Sequence, residues 1–452
     1  MIEVWGSKGM KTNVYIETMG CQMNVADTER AATRLREAGY CLTDSTRAAD
    51  VVLFNTCSVR ARAAQKVYRR IGEVRRERGG KAPLIGVMGC VAQLEGESIF
   101  DHAPVNLVVG TRATDRLPTL IERTLGGQGR ALDVGERGAG DSWDVSPVER
   151  HSPYIAFVPI IEGCNKFCSY CIVPYSRGRE VSRTAVDIVR EVLELRRAGF
   201  REAHLIGQNV NSYRPGTDAG LEGFEGATPF SRLLRAVAAT GMERIKFTTS
   251  FPRDFHTDIV AAMDEHWNLC DWVHLPAQSG SDRVLRAMRR GYQVNAYMKR
   301  VEAIKNARRR LSLTSDIIIG FPGETTAEFE ETMSLVEQCQ YDGLYIFKYS
   351  ERPGTPSASL SDDVPAQEKT ARFLALEERQ REIQNKIYAG YVGREVSVLA
   401  EGESAKSAED LTGHSTCHKV VNFRGQSHLT GQVVRVRIEE AKANSLYGQV
   451  VS

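Results

Sequence analysis

The chain has 452 residues, 42% hydrophobic and 26% charged, and 59 Lys and Arg against 57 Asp and Glu give a net charge of +2. Such a length calls for two or three domains of an ordinary soluble globular protein, and the even charge excludes a globally basic nucleic-acid binder, leaving any RNA site to a local patch. No apolar run approaches the ~18 residues of a membrane span, and the opening MIEVWGSKGMKT lacks the apolar core of a signal peptide. Ten cysteines in such a chain point to a reducing cytosol and to metal ligation in preference to disulfides.

Three strand-like runs open the chain: VYIETMGC (14–21), DVVLFNTC (50–57) and PLIGVMGC (83–90). Each ends in Cys after Gly or Thr, and helix-like stretches such as Ala26–Ala38 follow. Strands alternating with helices predict a parallel α/β sheet over 1–130, whose ligands sit beyond the carboxyl ends of the strands. Cys21, Cys57 and Cys90 then converge on one edge. Ten cysteines in 452 residues would occupy three chosen positions by chance about once in 100,000. Thiols buried as small hydrophobes are the plain alternative; the sharper reading is an iron–sulfur cluster with one open iron. Residues 131–152, rich in Gly, Asp, Ser and Pro without periodicity, read as a linker.

An apolar run, Tyr154–Ile161, leads directly into Cys164, Cys168 and Cys171, spaced C-x3-C-x2-C. A cubane cluster has four irons, one to each cysteine in a complete site, so three thiolates leave one iron open. An open position separates a catalytic metal site from a closed structural one. A zinc site completed by a distant His, or plain buried thiols, are the alternatives; zinc loops usually pair C-x2-C units. Further strands are expected at 202–207, 244–249, 271–275, 313–319 and 343–348. Between them come a helix over Thr184–Ala198 with Val186, Val189, Val192 and Leu193 on one face, another at Asp282–Arg290 capped by Ser281, and a third opened by the Thr325-x-x-Glu328 capping box. Six strand–helix units predict an open partial (β/α)6 TIM-like barrel over 153–389, with function at the carboxyl ends of its strands. The basic runs Arg286–Arg290 and Lys305–Arg310 read as solvated helix ends.

Pro365–Ala389 reads as a charged helix leading outward. Residues 390–452 change character: short β-type runs at 395–400, 418–423, 432–438 and 446–451 predict a small β-barrel. Seven Lys and Arg against seven Asp and Glu leave it without a charge bias. Lys419, Arg424, Arg435, Arg437 and Tyr447 are its candidates for phosphate contact and base stacking.

The string EGCNKFCSYCIVPYSRGREVSR (162–183), with GCQMN (20–24), NTCSVR (55–60) and GVMGCVAQLEGE (86–97), resembles the radical S-adenosylmethionine (SAM) methylthiotransferases. The resemblance runs through nearly the whole chain, the last 63 residues resembling an RNA-binding TRAM domain. It implies two [4Fe-4S] clusters, an auxiliary one on Cys21, Cys57 and Cys90 and a radical-SAM one on Cys164, Cys168 and Cys171. The open iron of the latter would chelate the amino and carboxylate groups of SAM. An electron then cleaves SAM to methionine and a 5′-deoxyadenosyl radical, chemistry that belongs to the cofactor. The strand-end residues suit a polar, dipolar ligand, and Tyr170, Gln208, Asn209, Ser250, Gln278, Gly320, Phe321 and Gly323 are the implied SAM contacts. Gly320 and Gly323 lie in a Gly-Phe-Pro-Gly resembling the family's adenine-side motif. Gln208-Asn209 replace the acidic residues many radical SAM enzymes hold there, which leaves the partner of the SAM ammonium unidentified. Cys41, Cys270, Cys339 and Cys417 match no family ligand.

GCQMN, GQNVNSY (207–213) and HLPAQSGSDRVL (274–285) resemble the branch acting on N6-isopentenyladenosine next to the tRNA anticodon. The implied reaction replaces C2–H of that adenine by C2–SCH3. One SAM would methylate a sulfur on the auxiliary cluster, and another would yield the radical that abstracts the hydrogen. The C2–H has no acidity for a base to exploit, so a radical held in a dry pocket is a physical way in. Branches acting on threonylcarbamoyladenosine or on a ribosomal-protein aspartate are alternatives, as is a non-catalytic iron–sulfur RNA-binding or sensor protein. Implied partners are isopentenylated tRNA, a low-potential electron donor such as flavodoxin or ferredoxin, and iron–sulfur assembly factors, with a monomeric, cytoplasmic protein and no membrane.

Overall fold

The structure, a computed structural model, describes residues 12–59, 63–78, 82–138, 142–405 and 407–451; residues 1–11, most of the stretch read for a leader, lie outside these. Two units divide the chain, one of Met1–His151 with Val173–Gly178, the other of Ser152–Ile172 with Arg179–Ser452.

The first unit is built on strands β1 (Asn13–Met19), β2 (Cys41–Leu42), β3 (Val51–Thr56), β4 (Leu84–Gly89), β5 (Leu107–Val109) and β6 (Ala131–Asp133). They form one parallel sheet in the order β2-β1-β3-β4-β5-β6. Every residue of β3 and β4 is buried, as expected of parallel strands covered on both faces. Met19 pairs with Thr56, and Thr56 with Gly89, so the three central strands end on one rung immediately before the cysteines. The expected helix after β1 runs Gln22–Glu37, beginning earlier than its apolar pattern suggested. The expected linker 131–152 is held at both ends. Its first residues form the edge strand β6, and its last are fastened by Glu29, which accepts from Arg150 Nη1 at 3.1 Å and contacts His151 Nδ1 at 2.8 Å. Gly and Asp content obscured both, because pairing to β5 needs only a three-residue match.

In the second unit β7 (Ile155–Pro159), β10 (Glu202–Ile206) and β11 (Arg244–Phe247) form one parallel sheet, and β12 (Trp272–His274), β13 (Ser312–Ile319) and β14 (Gly343–Lys348) another. A parallel bridge from Ile245 to Leu269 links them across β11 and β12. The result is the expected open six-stranded barrel. A short antiparallel pair, β8 (Ile161–Glu162) and β9 (Val181–Ser182), closes the base of the cysteine loop. Outward side chains such as Val158, Leu205, Val273 and Ile317 pack under the helices in the main core. The helix Ala185–Arg197 buries Ala185, Ile188, Val192 and Leu195, with its Thr184 hydroxyl accepting from Asp187 N. The face expected from Val186 is therefore rotated; Val186 is exposed. Thr325 caps Thr326–Cys339 through the expected capping box. The helix after Ser281 is shorter than expected, Asp282–Ala287, and Ser281 turns its hydroxyl to Glu328. Ala366–Ala389 packs Leu376 and Ile383 into the main core and does not lead outward.

The last residues close a five-stranded barrel from β15 (Glu395–Ser404), β16 (Ser407–Ser415), β17 (Val420–Arg424), β18 (Val433–Ala441) and β19 (Leu446–Val450), in the order β15-β16-β17-β19-β18. The sequence reading missed β16, whose SAEDLTGHS carries almost no β-type residues. It is a strand because it pairs on both sides, and Gly413 allows the Leu399 carbonyl an approach that any Cβ would block.

Candidate functional site

In the first unit, Cys21 lies at the surface while Cys57 and Cys90 are buried. The side chain of Asn24 explains GCQMN. Its Oδ1 accepts from Cys21 N and Sγ, each at 3.3 Å, and its Nδ2 donates to Asn55 Oδ1 at 3.0 Å and to Thr56 O at 3.1 Å. One amide thus ties the first cysteine to the strand end carrying the second. Gly89, at φ +90, sets the turn into Cys90, and a Cβ there would meet Asn55 Oδ1 at 2.3 Å. The three thiols sense one another. A hydrogen bond from Cys57 holds Cys21 below the ordinary thiol range and Cys57 above it, while burial pushes Cys90 up. Arg177, on the short helix Val173–Arg177, pairs with Asp27 at 2.6 Å and hydrogen-bonds Cys90.

In the second unit the cysteine loop leaves the carboxyl end of the first barrel strand. Asn209 Nδ2 donates to Cys164 Sγ at 3.1 Å, and Gly163 N donates to Gln208 Oε1 at 2.6 Å. The loop's other anchors are Ser169 Oγ on Ala287 O at 2.8 Å and Lys166 on Asp254 at 2.6 Å. Burial pushes the Cys164 thiol up. Arg290 Nη1 lies 3.3 Å from Cys168 Sγ and 3.5 Å from Tyr170 Oη. Sequence reasoning placed Arg290 on a solvated helix end, but the helix stops at Ala287. Arg289 at φ +57 and Gly291 at φ +69 then turn Arg290 inward to 5% exposure. Gly291, a helix-stopping residue directly after it, was the one signal in the sequence, and a weak one.

Of the other expected SAM contacts, Gln208 and Asn209 thus hold the cysteine loop. Ser250 Oγ and Gln278 Oε1 are buried at adjacent strand ends, each without a protein hydrogen-bond partner among the described residues. Gln278 at φ +72, Thr249 at φ +70 and Phe167 at φ +48 carry unfavourable backbone here, the kind of strain that collects at ligand sites. Gly320 and Gly323 have positive φ, and a Cβ on Gly320 would strike the Lys369 stem at 2.5 Å. Turn geometry and Lys369 account for the glycine without an adenine. Phe321 is fully buried against Tyr349, in a cluster that Tyr170 borders. Two aromatics that sequence reasoning left out, Tyr345 and Phe347, stand half exposed on β14, on the face opposite the core-facing Leu344 and Ile346.

Among the RNA candidates, Lys419 is corrected: it is 3% exposed, bonded to Asp342 at 2.6 Å and to Ser312 Oγ at 3.2 Å, and faces no solvent. Arg424 pairs with Glu409 at 3.2 Å and Arg437 with Glu395 at 2.8 Å; Arg435 also pairs with Glu395, and all three arginines are exposed. Tyr447 donates to Asp410 at 3.1 Å. The turn 414–419 seats on the first residues of the large barrel's strands. Arg244 donates to His414 O and Ser415 O, and His418 stacks on Trp272 at 4.2 Å. The small barrel therefore closes the amino-terminal end of the large one, away from the cysteine loop, and forms no lid over the strand ends.

Both cysteine sets fit an iron–sulfur cluster. Each holds three free thiols, and in the second set amide and guanidinium donors point at sulfur, as a thiolate would require. No three His, Cys, Asp or Glu among the described residues form a group that could hold a single metal ion. The orphaned Ser250 and Gln278 oxygens add polar groups for a ligand beside the second set.

A partial barrel with three cysteines in the loop after its first strand defines a radical SAM enzyme, whose cofactors are SAM and [4Fe-4S] clusters. The family comparisons agree: residues 13–110 match "Uncharacterized protein family UPF0004", 158–336 the radical SAM superfamily and 390–451 the TRAM domain. A tRNA-2-methylthio-N(6)-dimethylallyladenosine synthase of Solibacter usitatus is 44% identical over 96% of this chain and 97% of its own. Enzymes of the same name from Koribacter versatilis and Geobacter metallireducens are 43% and 42% identical, each over 97% of this chain and 98% of their own. The chain belongs to this family of tRNA methylthiotransferases. Among solved structures, the radical SAM methyltransferase TsrM of Kitasatospora setae shares the fold at a TM-score of 0.56 and 14% identity, over 77% of this chain and 75% of its own. The cobalamin-dependent OxsB does so at 0.51 and 10%, over 82% and 56%. No helix among the described residues is long and apolar enough to cross a membrane.

Proposed function

We propose that this protein converts N6-isopentenyladenosine beside the tRNA anticodon to its 2-methylthio derivative with SAM as co-substrate. The observation that supports this most directly is 44% identity along 96% of the chain to an enzyme of that name. Cys164, Cys168 and Cys171 would hold the cluster that engages SAM, and Cys21, Cys57 and Cys90 the auxiliary one. When bound, these clusters supply the electron for SAM cleavage and the sulfur chemistry. The rest falls to the chain's own side chains. Asn209 and the Gln208–Gly163 bond fix the loop carrying Cys164, Ser250 and Gln278 offer buried oxygens to the polar groups of SAM, and Asn24 holds Cys21 against the end of β3. A carbon radical needs a site from which water is excluded. A base in a single-stranded loop can be splayed into such a site without melting a helix. The exposed arginines of the small barrel are the RNA contacts in this reading, a flavodoxin or ferredoxin the electron source, assembly factors the origin of the clusters, and the cytoplasm the compartment of a monomer.

The test is mass spectrometry of tRNA nucleosides from cells lacking the protein. The 2-methylthio derivative of isopentenyladenosine should vanish and unmodified isopentenyladenosine accumulate. A loss confined to threonylcarbamoyladenosine derivatives, or to a modified ribosomal aspartate, would contradict the assignment.

A further inference from the structure

Eight arginines of the described residues are buried, and seven have a carboxylate: Arg30 and Arg177 share Asp27, Arg150 has Glu29, Arg183 Glu191, Arg235 Asp258 and Glu265, Arg244 Glu202, and Arg372 Glu324. Arg290 is the exception. Its partners are Tyr292 Oη and Pro276 O at 3.1 Å, Cys168 Sγ at 3.3 Å and Tyr170 Oη at 3.5 Å, with the Phe251 ring 4.4 Å from its guanidinium carbon. These are neutral oxygens, an aromatic face and a thiol. A buried cation with no anion is strongly unfavourable, whereas a hydrogen-bonded ion pair is tolerated. The one group in this shell that becomes an anion when it takes up its expected role is Cys168, as a metal-bound thiolate. Arg289, a non-glycine residue at φ +57, carries unfavourable backbone directly before Arg290, and Gly291 at φ +69 makes the following turn at no steric cost.

We propose that Arg290 is the fixed counter-cation of the cluster on Cys164, Cys168 and Cys171, a positioning residue whose charge is balanced only when Cys168 is ligated. This rests on the reading that those cysteines hold a cluster. Two consequences follow from the sign of the charge. Arg290 attracts the negative charge of a ligated cluster, and so favours retention of iron. It also favours uptake of one electron from a low-potential donor, since that electron adds negative charge beside it, so the reduction potential is higher with Arg290 than without. Arg177 at the other cysteine set differs, because it has a carboxylate partner in Asp27, at 2.6 Å.

The test uses the full chain with Cys21, Cys57 and Cys90 changed to Ala, so that all iron resides on the barrel, and repeats it in the chain with every cysteine present, following the signal that SAM perturbs. Iron content and midpoint potential, by EPR-monitored dithionite titration, are compared for the parent, Arg290→Lys and Arg290→Met. Arg290→Lys keeps the charge and should retain the parent's iron and most of its potential. Arg290→Met should lose iron, and the fraction retained should titrate at a lower potential. A full iron complement and an unmoved potential in Arg290→Met would overturn the proposal, as would equal losses in Arg290→Lys and Arg290→Met, which would mark a packing role. Iron missing from the parent itself would overturn the cluster reading, and the proposal with it.

Discussion

On the proposed function, the two cysteine sets reach similar chemistry by opposite routes. Cys164, Cys168 and Cys171 sit in one loop, anchored by Asn209, Gln208, Ala287 and Asp254. Cys21, Cys57 and Cys90 lie on three strands of one sheet, and only the shared rung Met19–Thr56–Gly89 aligns them. Each set has an asparagine on its first cysteine, Asn24 or Asn209, and a buried arginine, paired with Asp27 in one case and without a carboxylate in the other. The loop set is contained in one short segment, whereas the sheet set exists only when β1, β3 and β4 are correctly in register.

The largest effect should come from removing either set. Anaerobic reconstitution should give about eight irons per chain, and triple replacement by Ala of either set should leave about four. Loss of all iron from one triple variant would show the sites to be interdependent. Next, Gly89→Ala should break the sheet set alone. A non-glycine residue at its φ of +90 costs about 1–3 kcal/mol, and the new Cβ displaces Asn55, so iron should again fall to about four while SAM cleavage persists. A full complement of iron in this variant would remove the register argument.

Smaller changes act on the unit bearing the loop set. Lys419→Ala leaves Asp342 buried without its cation and should cost about 3 kcal/mol in urea denaturation, with tRNA affinity per folded molecule unchanged and the iron on Cys21, Cys57 and Cys90 retained. Weakened tRNA binding by well-folded protein would restore Lys419 as an RNA contact. Smallest is the dependence on pH. Burial lowers the values of His204 to about 3 and His418 to about 2. The stability these neutral histidines contribute is complete above pH 6.5, the ordinary value, and is lost as pH falls from there towards 3. At pH 5 the loss should approach about 2 kcal/mol for each, seen as a falling melting temperature of this unit. A melting temperature flat between pH 7 and 5 would contradict it.

Strand positions in the large barrel were legible because short runs of β-type residues recur between helical patterns, and all six appear within two residues of expectation. The cysteine loop was legible from spacing. The sheet set was legible only as a repeated pattern, since nothing local says that residues 21, 57 and 90 meet. What stayed hidden depends on tertiary pairing. Strand β16 is polar and is made a strand by its neighbours. Lys419 looked like a phosphate ligand until Asp342, far away in sequence, was seen beneath it. Arg290 looked like one of a run of solvated cations, and only the early end of its helix turns it towards Cys168. Apolar periodicity reports burial of apolar groups and is silent on which charges are buried with them.

The division of labour between the two sets is tested most directly by giving isopentenylated tRNA and SAM to the two triple variants and following 5′-deoxyadenosine and the methylthio nucleoside together by chromatography. With Cys21, Cys57 and Cys90 changed to Ala, 5′-deoxyadenosine should form and the methylthio nucleoside should not; with Cys164, Cys168 and Cys171 changed, neither should appear. Loss of 5′-deoxyadenosine from the first variant, with its barrel cluster shown intact, would contradict the assignment.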